Sequence, residues 1–195
     1  MELIILASGS PKRREYFKLM GLPFSTLPAV IDENLPYQTN PLKLTEELAV
    51  KKVQKVVEMM KNRLPKWICG ADTVVATGSK IFGKPANIEE AAQMLNKLSG
   101  KQHKVITSVA LYNVRENKID YRSVSCTVSF APLSQDEIKW YLGTNEWQGA
   151  AGAYRIQGLA GCFITQVKGS PSAVAGLPLR EFYVMLRDNG YQYGA

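Results

Sequence analysis

The acidic residues of this chain divide into two groups. Glu15, Glu46, Glu47, Glu58, Glu89, Glu90, Asp136, Glu137, Glu181 and Asp188 fall on predicted helices, mostly at exposed or capping positions, whereas Asp32, Glu33, Asp72 and Glu146 do not. Asp72 interrupts an otherwise apolar strand directly after Gly70-Ala71. A lone buried carboxylate costs several kcal/mol unless it is paired or bound to a metal. Asp72 therefore reads as a general base or metal ligand, against the plainer alternative of an Asp that caps a turn or pairs with a structural lysine. Glu33, in a loop, is the best second acid for such a site, or else a plain surface acid.

Cations gather on other segments. Ser8-Gly9-Ser10-Pro11-Lys12-Arg13-Arg14 joins a strand to a helix, the usual setting for phosphate binding at a helix N-terminus. Three successive cations in a first turn oppose the helix dipole by about 0.3–1 kcal/mol each, a cost that an incoming anion would reverse. The competing reading is a solvated basic turn. Gly78-Ser79-Lys80-Ile81-Phe82-Gly83-Lys84-Pro85 imitates a P-loop but has proline where that motif needs the Mg²⁺-binding hydroxyl, so the P-loop is rejected. Lys84 can still meet phosphate from a turn, or be an ordinary surface lysine. In the Gly/Ala-rich stretch 149–158, small residues let backbone approach a ligand closely, and Gln157 offers a donor and an acceptor to a base edge. A flexible loop is the alternative there.

Composition narrows the chemistry. The 195 residues, 46% hydrophobic and 21% charged, are ordinary globular material. A net charge of +7 favours an anionic partner without choosing among nucleotide, nucleic acid and membrane surface. With one histidine, His103, any metal must be held mainly by carboxylates, which points to a hard cation such as Mg²⁺ or Mn²⁺. His103, at a helix-to-strand junction, reads as structural. Cys69, Cys126 and Cys162 form no C-x-x-C pair and read as small buried hydrophobes in a reducing compartment. No apolar run nears the roughly 20 residues that span a bilayer, and no signal peptide is seen. The tyrosines and tryptophans are scattered, without the basic–aromatic ladder of a single-strand binder. These features predict a cytoplasmic protein with no membrane and no stable nucleic-acid partner.

The elements that must carry these residues follow from pattern. A buried strand over 2–7 leads to a helix capped by Ser10, started by Pro11 and closed by Gly21. A short strand near Phe24–Leu27 and a loop Pro28–Asn40 precede a helix from Pro41, with Leu44, Leu48, Val53 and Val57 on or near one face and Lys51, Lys52 and Lys55 among its polar positions. A strand spans Trp67–Thr77, and a Gly78-Ser79 turn leads to Lys80–Phe82. Asn87-x-x-Glu90 and Ser134-x-x-Glu137 are capping-box patterns opening helices that end near Gly100 and Gly143. Between them lie two long strands, about Lys104–Val114 and Tyr121–Ala131. A strand at Cys162–Val167 and a helix from Pro178 to Gly190 complete the chain. The alternation of helices and strands, broken by a hairpin, predicts a mixed α/β sheet. The prediction is one domain over 1–195, with about 104–145 as a candidate second lobe.

Taken together these segments resemble the Maf-like family, the septum-formation-inhibitor nucleoside triphosphate pyrophosphatases. The likeness runs in order through Leu6-Ala7-Ser8-Gly9-Ser10-Pro11, Asp32-Glu33, Lys52, Gly70-Ala71-Asp72-Thr73-Val74-Val75 and Gly83-Lys84-Pro85. It continues through Ala92-x-Met94-Leu95-x-x-Leu98-Ser99-Gly100-x-x-His103, Ala151-Gly152-Ala153-Tyr154-x-Ile156-Gln157-Gly158 and Gly176-Leu177-Pro178-Leu179. The resemblance implies an α/β fold of two lobes around a strongly twisted mixed β-sheet with flanking helices, the nucleotide in a cleft between lobes, and a homodimer. It implies cleavage between the α and β phosphates, aided by a divalent cation. It places Asp72 as general base, with Glu33 and Asp72 holding the metal. Ser8, Lys12, Arg13, Lys52 and Lys84 fall among the substrate-binding positions. Thr73 and Gln157 match the branch that prefers dTTP and UTP; the 7-methyl-GTP branch usually has Gln and Glu there.

Three positions depart from that branch: Lys12 stands for a usual Arg, Ala150 for a frequent Lys and Thr127 for a common acid. Lysine keeps the charge and loses the bidentate fork. Two alternatives stay open on sequence: the same chemistry on a modified or methylated nucleotide such as 7-methyl-GTP, and a basic nucleic-acid-binding protein without activity, whose polynucleotide affinity would fall steeply with salt.

Overall fold

A computed structural model describes residues 1–33, 35, 40–61, 65–78 and 80–193. Part of the expected 28–40 loop and Ser79 of the expected turn lie outside the described residues. The strands are β1 (Ile4–Leu6), β2 (Phe24–Thr26), β3 (Trp67–Thr77), β4 (Lys80–Phe82), β5 (Gln102–Asn113), β6 (Lys118–Phe130) and β7 (Ile164–Lys168). The helices are α1 (Pro11–Leu19), α2 (Pro41–Met60), α3 (Ile88–Leu98), α4 (Gln135–Gly143), α5 (Pro171–Val174) and α6 (Leu179–Asp188). Strand order is β2-β1-β3-β5-β6-β7, with β4 on β3; β1 runs parallel to β2 and β3, while β4 on β3 and β7 on β6 are antiparallel. This is the mixed α/β sheet that the alternating pattern predicts.

The chain divides into two compact units, residues 1–72, 107–124 and 176–195, and residues 73–106 and 125–175. The stretch 104–145 is shared out: 107–124 falls in the first unit, and 104–106 and 125–145 in the second.

In the first unit, period-2 alternation sorts the parallel strands into two faces. Ile4, Leu6, Trp67, Cys69 and Ala71 pack with Phe17 of α1 and with Phe182, Met185 and Leu186 of α6. Ile5, Ala7 and Ile68 pack with Ala49, Val53 and Val56 of α2. Pairing of Ile4 with Trp67 and of Leu6 with Cys69 fixes the register, since a slip of one residue would exchange the two faces. Asn40 caps α2 by accepting from the amides of Leu42 and Lys43.

In the second unit, Ser134 and Glu137 form the complete capping box expected for α4. At α3 half of the expected box is altered: Asn87 accepts from the Glu90 amide, and the Glu90 carboxylate accepts from the Ala86 amide rather than from that of Asn87. Burial draws Phe130, Tyr154 and Phe163 into an aromatic cluster around His103. His103 is buried, its Nε2 lies 2.8 Å from the Tyr154 hydroxyl, and burial lowers its pKa from 6.5 to about 4. A histidine whose folded pKa is depressed adds stability that is complete above about 6.5 and is lost as pH falls toward about 4. At about 1.4 kcal/mol per pKa unit that is a loss on the order of 3 kcal/mol. His103→Gln, which keeps a hydrogen-bonding amide without the titration, is expected to flatten the fall in melting temperature between pH 6.5 and 4; an unchanged pH profile would contradict this.

Three expectations need correction. Cys69 and Cys126 are buried but Cys162 is exposed. The expected strand at Cys162 begins at Ile164, because Leu159–Phe163 forms a 3₁₀ turn. Lys52 does not belong with the polar positions of α2: it is 5% exposed and lies in the Ala49, Lys52, Val53, Val56 stripe.

Candidate active site

Why a lysine sits in an apolar stripe becomes clear at Gly70. Ile68, Gly70 and Asp72 alternate onto the face of β3 that meets α2. A methyl at Gly70 would come within 2.5 Å of the Ala49 carbonyl oxygen and 2.9 Å of Val53 Cγ2. Glycine there lets helix backbone rest on strand backbone. One residue along the helix from Val53 and two along the strand from Gly70, the Lys52 ammonium meets the Asp72 carboxylate at 2.6 Å. The lysine stem fills the stripe and its head finds a charged partner, the usual way a long cationic chain tolerates burial.

The same ammonium meets Glu33 Oε1 at 2.7 Å. The half-exposed loop carboxylate and the buried strand carboxylate thus converge on one cation. Asp72 is 5% exposed, and burial raises its pKa above the ordinary 3.8. Lys52 and Arg13 pull it down, and Glu33 pushes it up.

Arg13 comes to this group from α1. Its guanidinium is buried, with Nε donating to the Gly176 carbonyl at 2.8 Å and Nη1 to Ser8 Oγ at 3.0 Å. Burial lowers its pKa, opposed by the negative charges of Asp72 and Glu33. Ser8 Oγ also accepts from the Ser10 amide at 3.2 Å, which leaves the Ser8 O–H to donate. Ser10 caps α1, accepting from the Arg13 amide. Lys12 is turned along the helix to Glu15, 2.8 Å away, and lies over the Tyr16 ring. Thus Ser8, Arg13, Glu33, Lys52 and Asp72 form one connected group within the first unit, with Lys12 one residue from it. Two carboxylates stand against two cations, so the group is close to neutral.

The other expected residues lie in the second unit. Thr73 is half-buried, and Lys84 and Gln157 are exposed. Gly152 ties their segments together. It has φ +67, its amide donates to the Gly83 carbonyl beside Lys84, and a Cβ there would meet Val75 at 2.7 Å. Val75 shares a strand face with Thr73. The small residues of 149–158 were expected to admit a ligand; at Gly152 and Gly158 the close approaches are instead to Val75 and to the Glu146 carboxylate. Of the three departures, Lys12 holds Glu15, Ala150 is buried, and Thr127 Oγ1 accepts from Lys104 at 2.8 Å. Sequence reasoning gave Gly70 no role of its own; the signal was a glycine two residues before a buried acid in an apolar strand.

The fold is a mixed α/β sheet flanked by helices, carrying a buried carboxylate–lysine–arginine group beside a helix N-terminus. The Maf-like protein family matches residues 3–189, and the chain belongs to that family. It is 40% identical to the dTTP/UTP pyrophosphatase of Pelotomaculum thermopropionicum, over 98% of this chain and 98% of that one. It is 39% identical to the protein of that name from Symbiobacterium thermophilum, over 98% of this chain and 96% of the other. It is 41% identical to that of Hahella chejuensis, over 96% and 92%. Among solved structures, the Staphylococcus aureus Ham1 protein aligns at 14% identity with a TM-score of 0.41, over 67% of this chain and 72% of that one, a likeness too slight to bear on the site.

Proposed function

We propose that this protein hydrolyses dTTP and UTP to the nucleoside monophosphate and pyrophosphate. The observation that carries the reading is the convergence of Asp72 and Glu33 on the Lys52 ammonium, with Arg13 fixed nearby, in a chain about 40% identical over nearly its whole length to proteins named for that activity.

The residues can hold the divalent cation expected with such chemistry. Among the described residues there is no group of three or more His, Cys, Asp or Glu that could hold a metal. Mg²⁺, however, is commonly held by one or two carboxylates, with the rest of its shell from substrate phosphates and water. Glu33 and Asp72 both reach the one Lys52 ammonium, which supports their sharing a cation. Mg²⁺ or Mn²⁺ held there would offset phosphate charge in the transition state.

The chain's own residues then act as follows. Arg13, its guanidinium fixed by Ser8 and Gly176, binds phosphate oxygens, and the Ser8 hydroxyl donates to another. Lys52 favours the ionised form of Asp72 and holds the carboxylate in place until substrate arrives, then shares its charge with the triphosphate. Lys84 and Lys12 add cationic reach. Asp72 takes a proton from a water as its oxygen attacks the α-phosphorus; the bond from that phosphorus to the bridging oxygen breaks, and pyrophosphate leaves. Thr73 and Gln157 select the base. We further infer that the enzyme is cytoplasmic and dimeric, with no membrane or stable nucleic-acid partner; among the described residues no helix is long and apolar enough to cross a membrane.

The test is pyrophosphate release from dTTP, UTP, CTP, GTP and 7-methyl-GTP with Mg²⁺ or Mn²⁺, and with a chelator. Expected are the highest kcat/KM values for dTTP and UTP, and loss of turnover on chelation that either metal restores. Preference for 7-methyl-GTP would overturn the base assignment, and no release from any nucleotide would overturn the reading.

A further inference from the structure

Glu146 is an acid off the predicted helices that the proposed chemistry leaves unused. Its carboxylate accepts from the Leu159 amide, with Oε2 2.8 Å from that nitrogen. A Cβ on Gly158 would lie 2.1 Å from the same Oε2, so a side chain there and the carboxylate in its present place exclude each other. Gly158 has φ −112, open to any residue, so a side chain there is opposed by the carboxylate, which would have to swing away, and not by the backbone. A second strap runs the other way. Arg155 Nε donates to the Glu146 carbonyl at 2.9 Å, and its Nη2 donates to the Gln148 carbonyl at 2.5 Å. The Gly158 amide closes a turn onto the Arg155 carbonyl.

Gln157 stands between these attachments, exposed, with Arg155 latched on one side and Gly158–Leu159 on the other. We propose that Glu146 is a positioning residue for base selection: it fixes the backbone that presents the Gln157 amide. This rests on the reading that Gln157 meets the base of a pyrimidine triphosphate. An amide that reads paired donors and acceptors discriminates only while its direction is fixed; a mobile one satisfies several base edges about equally. The far side of the latch is held independently, because the Glu146 amide donates to Thr144 Oγ1 and Trp147 Nε1 donates to the Leu142 carbonyl at the end of α4.

The experiment compares Glu146→Ala, Glu146→Gln and Gly158→Ala with the parent, using dTTP and dCTP as paired substrates and amide hydrogen exchange at Leu159. A hydrogen bond to a charged acceptor is worth roughly a tenfold change or more. In Glu146→Ala the Leu159 amide is therefore expected to exchange about tenfold faster. The dTTP/dCTP ratio of kcat/KM should fall about tenfold, through KM, with kcat within about twofold of the parent, since the phosphate-binding residues are untouched. Glu146→Gln keeps an acceptor oxygen and recovers most of the selectivity; Gly158→Ala, which drives the carboxylate off, resembles Glu146→Ala. Parent-like exchange at Leu159, or an unchanged ratio in an active Glu146→Ala protein, overturns the proposal. Should that variant not fold, Gly158→Ala carries the test, and unchanged selectivity with unchanged Leu159 exchange overturns it there. A parent that releases pyrophosphate from no nucleotide overturns the underlying reading, and the selectivity role with it.

Discussion

Asp72→Asn is expected to lower kcat for pyrophosphate release about 10³-fold, the scale of a lost general base, while the protein melts at or above the parent's temperature at pH 8. The first half follows from the role proposed for the carboxylate. The second follows from linkage. Asp72 has a folded-state pKa above 3.8 because burial outweighs Lys52 and Arg13. Folding therefore takes up a proton between 3.8 and the raised value, so the ionised carboxylate subtracts stability above that window and subtracts nothing below 3.8. Asparagine imitates the protonated form at every pH and removes the subtraction, a site that gives up stability for function. Steady-state assays and melting curves on both proteins decide the matter. Turnover within about tenfold of the parent would remove Asp72 from the proton-transfer step. A melt well below the parent's would show that the pairing with Lys52 outweighs burial.

The second large effect is expected at Gly70, which touches no substrate in the proposed mechanism. Gly70→Ala places a methyl 2.5 Å from the Ala49 carbonyl and 3.3 Å from the Val53 amide nitrogen. Both are helix backbone and cannot rotate aside, so α2 must move off β3. Overpacking of this kind costs roughly 1–3 kcal/mol. The same shift carries Lys52 away from Asp72, and a misplacement of about 1 Å in a catalytic group can cost about 10²-fold in rate. The expected result is a lower melting temperature together with a fall in kcat on that scale. Gly143→Ala, where an added methyl meets nothing within 4 Å, is the control and should change stability by no more than about 0.5 kcal/mol. Parent-like activity in Gly70→Ala would show that the helix-to-strand contact does not set the Lys52–Asp72 pairing.

Much of this molecule is written locally. Proline at the first helical position after Ser10 and Asn40 marks the starts of α1 and α2. The Ser134-x-x-Glu137 box starts α4, and the apolar run Trp67–Thr77 reads as a strand. These signals are legible because caps, turns and strand burial depend on neighbours a few residues away. Asp72 is legible for a related reason: an acid inside an apolar strand violates the pattern around it, and such violations concentrate at functional sites.

What could not be read is which residues share a place. Lys52 looks like one more cation on a helix until the Gly70 contact turns its stripe inward. Arg13 looks like one of three basic residues, yet it alone of Lys12, Arg13 and Arg14 is buried, gripped by a carbonyl 163 positions away in sequence. Gly158 looks like loop flexibility until the Glu146 carboxylate appears against it. By itself the sequence determined the class of fold, most of the secondary elements and the acid that does not belong in its strand, because propensity and periodicity are local. Only the tertiary structure decided that Lys52, Glu33, Arg13 and Asp72 form one charge group and that Glu146 braces the Gln157 turn. Such pairings depend on how closely distant backbones can approach, and no short window of residues encodes that distance.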